Sequence, residues 1–340
     1  MKSQKFGIEI EMTGITRRQA AGVIAGYFHT DANYIGGGYD TYTVRDGQNR
    51  QWKIVSDASI SPISSGSAES GQYKVELVSP ICQYSDIETI QEIVRKLRSI
   101  GGKVNSSCGI HVHVDASAHT PKTLRNIVNI MASKEDLLYK TLKVRESRQD
   151  RYCKKADTRF LDDVNRKRLT SMSRLEELWY NGESGRNSHY DKTRYHALNL
   201  HSVFSKGTIE FRMFNSTLHA GEVKTYIQLC LAISHQALIQ HGASRSKTKT
   251  DNEKYTFRTW LLRLGLIGDE FKTARHHLLK NLDGNIAWKD PAQAEKQKER
   301  LAAKREQGLA QTQQETEPVQ EPEETNEQEQ ETSAFSMRMR

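Results

Sequence analysis

The sequence predicts an α+β fold, a mainly antiparallel β-sheet with helices packed on one side. At least six strand-like runs are interleaved with helical patterns at uneven spacing, which a regular β/α barrel fits less well. Two pairs of runs, at 40–55 and 195–213, read as hairpins, and hairpins require antiparallel neighbours. GIEIEM, GIHVHVD and TIEFRMF alternate apolar and titratable residues, so each has one core face and one polar face.

In chain order, the first strand carries Glu9 and Glu11 on one face, with the aliphatic residues and Met12 on the other. Residues 16–29 follow as a helix, with Ala20, Val23, Ile24 and Phe28 at helical spacing. Gly36, Gly37 and Gly38 lack the Lys-Ser/Thr of a P-loop and the G-x-G-x-x-G spacing, so they read as a turn. YDTYTVRD and NRQWKIVSD are paired strands, with Trp52 in the core. QYKVELVS, 72–79, is a further strand stopped by Pro80. A helix opens at Ser85, where Glu88 completes a capping-box pattern, turns Ile87, Ile90, Val94 and Leu97 inward, and ends at Gly101 and Gly102.

After GIHVHVD, Thr120 caps a helix with Pro121 in its first position, reaching about Leu142. Residues 157–180 read as one helix and 181–194 as a polar loop. YHALNLHSV and GTIEFRMF form a hairpin turning at Ser205, Lys206 and Gly207. A long helix from about Gly221 to His241 buries Val223, Tyr226, Ile227, Leu229, Cys230 and Ile233, and a helical pair fills 255–280. Past Pro291 the composition shifts to Gln, Glu, Lys and Ala, then to a Glu/Gln/Pro/Thr tract. A short helix near 291–307 and a disordered acidic tail are expected, giving a catalytic domain at 1–285 and a polar extension at 286–340.

The net charge of +8 conceals an asymmetry. Residues 315–340 hold eight Glu against two Arg, which leaves +14 on residues 1–314. The densest basic stretch, Lys140 to Arg174, has twelve Lys or Arg against five Asp or Glu. Nucleic acid, nucleotide phosphates, an acidic peptide or a solvated helix face all account for it. No apolar run reaches membrane-spanning length and MKSQKFGIEIEM lacks a signal-peptide core, which points to the cytoplasm and no membrane. Cys82, Cys108, Cys153 and Cys230 lie far apart without C-x-x-C pairing, so reduced structural thiols are expected.

The polar strand faces carry the chemistry. Ordinary solvated faces mix Lys, Thr, Ser and Gln, whereas these hold carboxylates, imidazoles and one arginine. Hard divalent cations take oxygen ligands, and Glu9, Glu11, Asp57, Glu76 and Glu210 lie on or beside predicted strands. His111 or His113 can complete the shell of Mg²⁺ or Mn²⁺. So acidic a cluster needs neutralising, which two or more divalent ions would do, and Arg212 can hold a phosphoryl group in a bidentate contact.

FGIEIEM, WKIVSDASI, KVELVSPI, CGIHVHVD and YHALNLHSVFSKGTIEFRMFNSTLHAGEV, in that order over about residues 5–240, resemble the successive motifs of the amidoligase family, which is grouped with glutamine synthetase and glutamate–cysteine ligase. The resemblance implies a glutamine synthetase-like catalytic fold and ATP-dependent amide bond formation between a carboxylate and an amine, through an acyl phosphate. It implies that Glu9, Glu11, Glu76, His111 and Glu210 bind metal, that His113 binds metal or substrate, that Arg212 contacts phosphate, and that Asp57 lies near the metals or the amine. Small-molecule or peptide substrates follow, their pockets built by 29–50 and 143–194.

Two rivals stand beside this reading. The His111-x-His113-x-Asp115 strand could hold Zn²⁺ in a hydrolase, which leaves Glu9, Glu11 and Arg212 without a role. The basic body could bind nucleic acid around a degenerate ligase domain. Among lesser candidates, Cys108 reads as a small buried residue and not a nucleophile. His196 and His201 fall on a strand-like segment of unknown facing, where Asn199 is the better polar contributor.

Overall fold

The computed structural model describes residues 1–64 and 68–314. Among the described residues eight strands form one sheet: β1 (Phe6–Met12), β2 (Ala32–Gly36), β3 (Thr41–Arg45), β4 (Gln51–Val55), β5 (Val75–Val78), β6 (Gly109–Asp115), β7 (Leu198–Asn199) and β8 (Thr208–Asn215). Their order is β2-β3-β4-β5-β1-β6-β8-β7, and every ladder is antiparallel. The helices are α1 (Arg17–Phe28), α2 (Ile87–Ser99), α3 (Pro121–Thr141), α4 (Glu146–Arg151), α5 (Thr158–Arg166), α6 (Met172–Trp179), α7 (His201–Lys206), α8 (Ala220–Ile239), α9 (Glu253–Arg263) and α10 (Lys272–Leu279). The chain divides into two compact units, 1–291 and 292–340; all that is described of the second belongs to α11 (Pro291–Gln314). The expected tail disorder falls on residues outside those described.

The alternation of β1 places Ile8, Ile10 and Met12 on the core face, joined there by Leu77, Ile110, Val112, Val114 and Phe211, all essentially without solvent exposure. Helices α1 and α8 pack against the sheet, α2 against both of them and α3 against α8, with Phe214 of β8 stacked on Tyr226 of α8 at 4.3 Å. Each such side chain withdrawn from water contributes about 1.5–3 kcal/mol. That apolar layer is what lets the opposite face carry charge. Among the described residues no helix is long and apolar enough to cross a membrane.

Local chemistry moved several expected boundaries. The helix expected at Ser85 starts at Ile87, because Tyr84–Asp86 form a 3₁₀ turn closed by a Gln83/Asp86 capping box. Both Asp86 oxygens also accept from Arg50, at 2.8 and 2.9 Å. The single helix expected over 157–180 is two, α5 and α6, capped separately by Asp157 and Ser171. The expected 195–213 hairpin is interrupted. Only Leu198 and Asn199 pair with β8, since the Asn199 side chain accepts from His201 N at 2.9 Å and starts α7, which ends at Gly207 in the left-handed conformation. Strand β2 was invisible to periodicity because it buries almost nothing.

Trp52, fully buried, anchors the β3–β4 end of the sheet: its ring lies 5.6 Å from Phe28 and its Nε1 donates to Asp46 at 3.2 Å. Trp52→Ala should therefore destabilise the protein by about 3–5 kcal/mol, read as a lower chemical-denaturation midpoint.

Candidate metal centre on the polar sheet face

Strand order makes β5, β1, β6 and β8 neighbours, and their register brings the polar positions together. Glu9 lies opposite His111, Glu11 opposite Glu76, His113 opposite Glu210, and Glu210 also opposite Asn199. A one-residue bulge between Phe211 and Phe214 of β8 adjusts this face, returning Phe214 to the core after Glu210 and Arg212 have pointed to the site. Asp57 enters from the loop after β4, one oxygen accepting from Ser59 N at 2.6 Å.

His111 Nδ1 lies 3.0 Å from Glu9 Oε2 and 3.7 Å from Glu210 Oε1, and its Nε2 is 3.9 Å from Glu11 Oε1. His113 Nε2 lies 3.3 Å from Glu9 Oε1 and 3.8 Å from Glu210 Oε1, buried yet without a hydrogen-bond partner. Three ligand sets result, each with its donor atoms within 4.8 Å of one another: Glu9, Glu76 and His111; Glu9, His113 and Glu210; Glu11, Asp57 and Glu76. Shared Glu9 and Glu76 make them one continuous row. An orphaned imidazole nitrogen and a surplus of carboxylate oxygens suit hard divalent cations, with the all-carboxylate set favouring Mg²⁺ or Mn²⁺ over softer metals.

The electrostatics divide this row. Burial raises the Glu11 carboxyl to about 7, helped by the charge of Asp57 and offset in part by Arg148 and by Gly109 N, which donates to Glu11 at 2.6 Å. Burial and the neighbouring Glu9, Glu11 and Asp57 push Glu76 well above the carboxylate range. At the other end, burial acts on Glu210 too, but Arg212 and the two histidines outweigh it and hold it down at about 2. Burial is likewise overcome at Glu9, which His113 and His111 keep well below its usual value. Burial and Arg212 depress His111 to about 4, whereas Glu9 and Glu210 raise His113 against its own burial.

The family model described as "Putative amidoligase enzyme" matches residues 2–234, more than half of the chain and every residue of this row. The chain belongs to that family. No curated protein matches it.

Within this amidoligase-family chain the structure gathers Glu9, Glu11, Asp57, Glu76, His111, His113, Glu210 and Arg212, with Arg212 ion-paired to Glu210. Asn199 joins them, donating to Glu210 at 2.6 Å. It does not gather Asp115. That carboxylate accepts from Ser117 N and Oγ at 2.9 and 3.0 Å and belongs to none of the three ligand sets, so the His111-x-His113-x-Asp115 strand is not a metal triad. Cys108 is buried and its thiol raised by that burial, as befits a core residue. His196 bonds to Thr193 O away from the row. His201, on α7 and not on a strand, bonds to Tyr180 and lines a cavity of about 250 Å³ against Glu210, with Arg186, Arg194 and Lys206. A second groove of about 380 Å³ opens beside Glu9 and His113, walled by Phe6, Val78, Pro80 and Ile81.

Sequence reasoning left Arg148 undistinguished among its basic neighbours. Most of those are exposed, and five are ion-paired, as with Lys140 to Glu253 and Asp283, Lys155 to Asp136, and Lys167 to Asp163. Arg148 is buried against Gly109. The available signal was Gly109 itself, a position two residues before His111 and so on the same face, without a side chain.

A raised carboxyl gives stability that is fully present below its unfolded value, about 4.5, and lost as pH rises through its folded value, about 7. Relative to Glu11→Gln, the metal-free protein should therefore lose melting temperature between pH 5 and pH 7.5 (roughly the span of that titration), and Mg²⁺ should reverse the loss. Calorimetry in buffers of different ionisation enthalpy should show protons released as Mg²⁺ binds near neutral pH.

Proposed function

We propose that this chain is an ATP-dependent carboxylate–amine ligase, in which the γ-phosphoryl group of ATP passes to a carboxylate oxygen and an amine then displaces phosphate from the acyl phosphate to give an amide. The observation that carries this reading is the continuous row of three ligand sets on one face, in a chain of the amidoligase family. Phosphoryl transfer asks a protein chiefly for positioning and charge neutralisation, and that is the chemistry these residues offer. A glutamine synthetase-like catalytic fold is part of the same proposal, supported by the antiparallel sheet with its ligands on one face.

In this reading Glu9, Glu11, Glu76, His111 and Glu210 hold two or more Mg²⁺ or Mn²⁺ ions, and His113 supplies a further metal or substrate contact. When bound, the ions neutralise the phosphate oxygens and orient the γ-phosphoryl group. Arg212 adds a fixed positive charge, kept in place by Glu210. Asp57, half-buried at the Glu11 end of the row, takes the proton of the attacking amine. The apolar-walled groove beside Glu9 and His113 suits a nucleoside, and the polar cavity beside Glu210 suits a small or peptide substrate. The segment 181–194 supplies Arg186, His189 and Arg194 to that cavity, and Tyr190 on it lies near Tyr39 from the β2–β3 turn.

The test is incubation with ATP, Mg²⁺ and a pooled amino-acid and peptide library. New amide masses should form with release of ADP and phosphate, and chelation of the divalent ion should stop both. Glu9→Gln and Glu210→Gln should each lower turnover by about 10²-fold or more. Turnover without ATP, abolished by zinc chelation, would overturn the reading. This reading assigns the catalytic domain to 1–285, so truncation from Gln293 should leave the rate unchanged.

A further inference from the structure

Two arginines are buried at this face, and they are differently engaged. Arg212 is ion-paired through Nη1 to Glu210, and its Nε donates to Tyr152 O at 3.4 Å. Arg148, on α4, is 2 % exposed, and among the described residues no carboxylate lies within ion-pairing distance of it. Its Nη2 donates to the carbonyl of Arg212 at 3.3 Å, the Tyr152 ring centroid lies 5.9 Å from its guanidinium carbon, and its Nε is buried with no hydrogen-bond partner. An unpaired guanidinium taken out of water costs several kcal/mol, yet the fold keeps one here.

The fold also makes room for it. Gly109 shares the site face with His111 and His113, and its N–H holds Glu11. A Cβ at position 109 would fall on the Arg148 guanidinium. The absent side chain is therefore a notch, and the notch is filled by a cation from α4 lying beside Glu11 and the backbone of Arg212. Arg148 is the fully buried arginine at this face with an unused donor and no carboxylate within ion-pairing distance among the described residues; Arg194, at the Glu210 cavity, also has an unpartnered Nε but is only half-buried.

We propose that Arg148 receives the anionic oxygens of a phosphate or polyphosphate beside the metal row, with Gly109 as the notch that admits its guanidinium. This rests on the phosphoryl-transfer reading above and names a residue of it. The fork geometry of a guanidinium suits two phosphate oxygens at once, which a lysine cannot match.

The test uses the full chain with Mn²⁺ alone, inorganic pyrophosphate added to the Mn²⁺-loaded protein, and the Mg²⁺ complex of a non-hydrolysable ATP analogue, each measured by calorimetry. Arg148→Gln and Gly109→Ala should weaken pyrophosphate binding about tenfold or more while Mn²⁺ affinity holds or rises, and Arg148→Lys should recover part of the loss. Should Arg148→Gln fail to fold, Arg148→Lys and Gly109→Ala decide. Unchanged pyrophosphate affinity in the folded variants, or Mn²⁺ affinity falling in parallel with it, overturns the proposal. Wild-type protein that binds pyrophosphate but not the ATP analogue retains Arg148 and removes the ligase reading. Wild-type protein that binds the analogue as tightly as folded Arg148→Gln does removes Arg148 and retains the ligase. Binding of neither probe removes both.

Discussion

Glu11 and Glu76 face each other directly across the β1–β5 ladder, with Glu9 one pleat away and Asp57 beside them. Like charges directly opposite on adjacent strands destabilise a sheet, and burial intensifies the repulsion. The protein answers at one end by protonation, with Glu11 and Glu76 pushed upward, and at the other by cations, with Arg212 and the histidines holding Glu210 and Glu9 ionised. Two carboxyls that keep their protons near neutrality and two that do not make the row a gradient. Its protonated end is the one a divalent cation would change most on binding, since the ion must displace protons there.

The remainder of the fold serves this face. The row is built on central strands, so the positions of its ligands are fixed by ladders on both sides and by an apolar layer packed beneath. The bulge in β8 lets one strand contribute Glu210 and Arg212 to the site and Phe214 to the core within a few residues. Past α3 the chain reaches the polar face: Arg148 from α4 fills the Gly109 notch, Tyr152 O accepts from Arg212, and His201 from α7 borders the Glu210 cavity. The interruption that turns the expected hairpin into a two-residue strand and a helical turn puts Asn199 against Glu210 and Lys206 between the two openings.

The basic stretch from Lys140 to Arg174 divides into different environments in three dimensions. Lys140, Lys155, Arg159, Lys167 and Arg174 each pair with nearby carboxylates, and such exposed pairs contribute little stability, while Lys143, Arg145, Arg151, Lys154, Arg166 and Arg168 stay exposed. Composition counts Arg148 with them, although its burial sets it apart.

By itself the sequence determined the strand faces, the α+β class and the chemical identity of the row, because side-chain alternation is a local rule: Glu9 and Glu11, His111 and His113, and Glu210 and Arg212 had to share faces wherever their strands lay. It also determined the Thr120–Pro121 start of α3, since a cap depends on residues within one turn. Only the tertiary structure decided that Glu11 meets Glu76, that His113 meets Glu210, that Asp115 turns to Ser117, and which arginine occupies the Gly109 notch. Those outcomes depend on strand order, register and a bulge, which join residues tens of positions apart and leave no periodic trace. The edge strand β2 escaped for a related reason: it buries almost nothing, so there was no pattern to read.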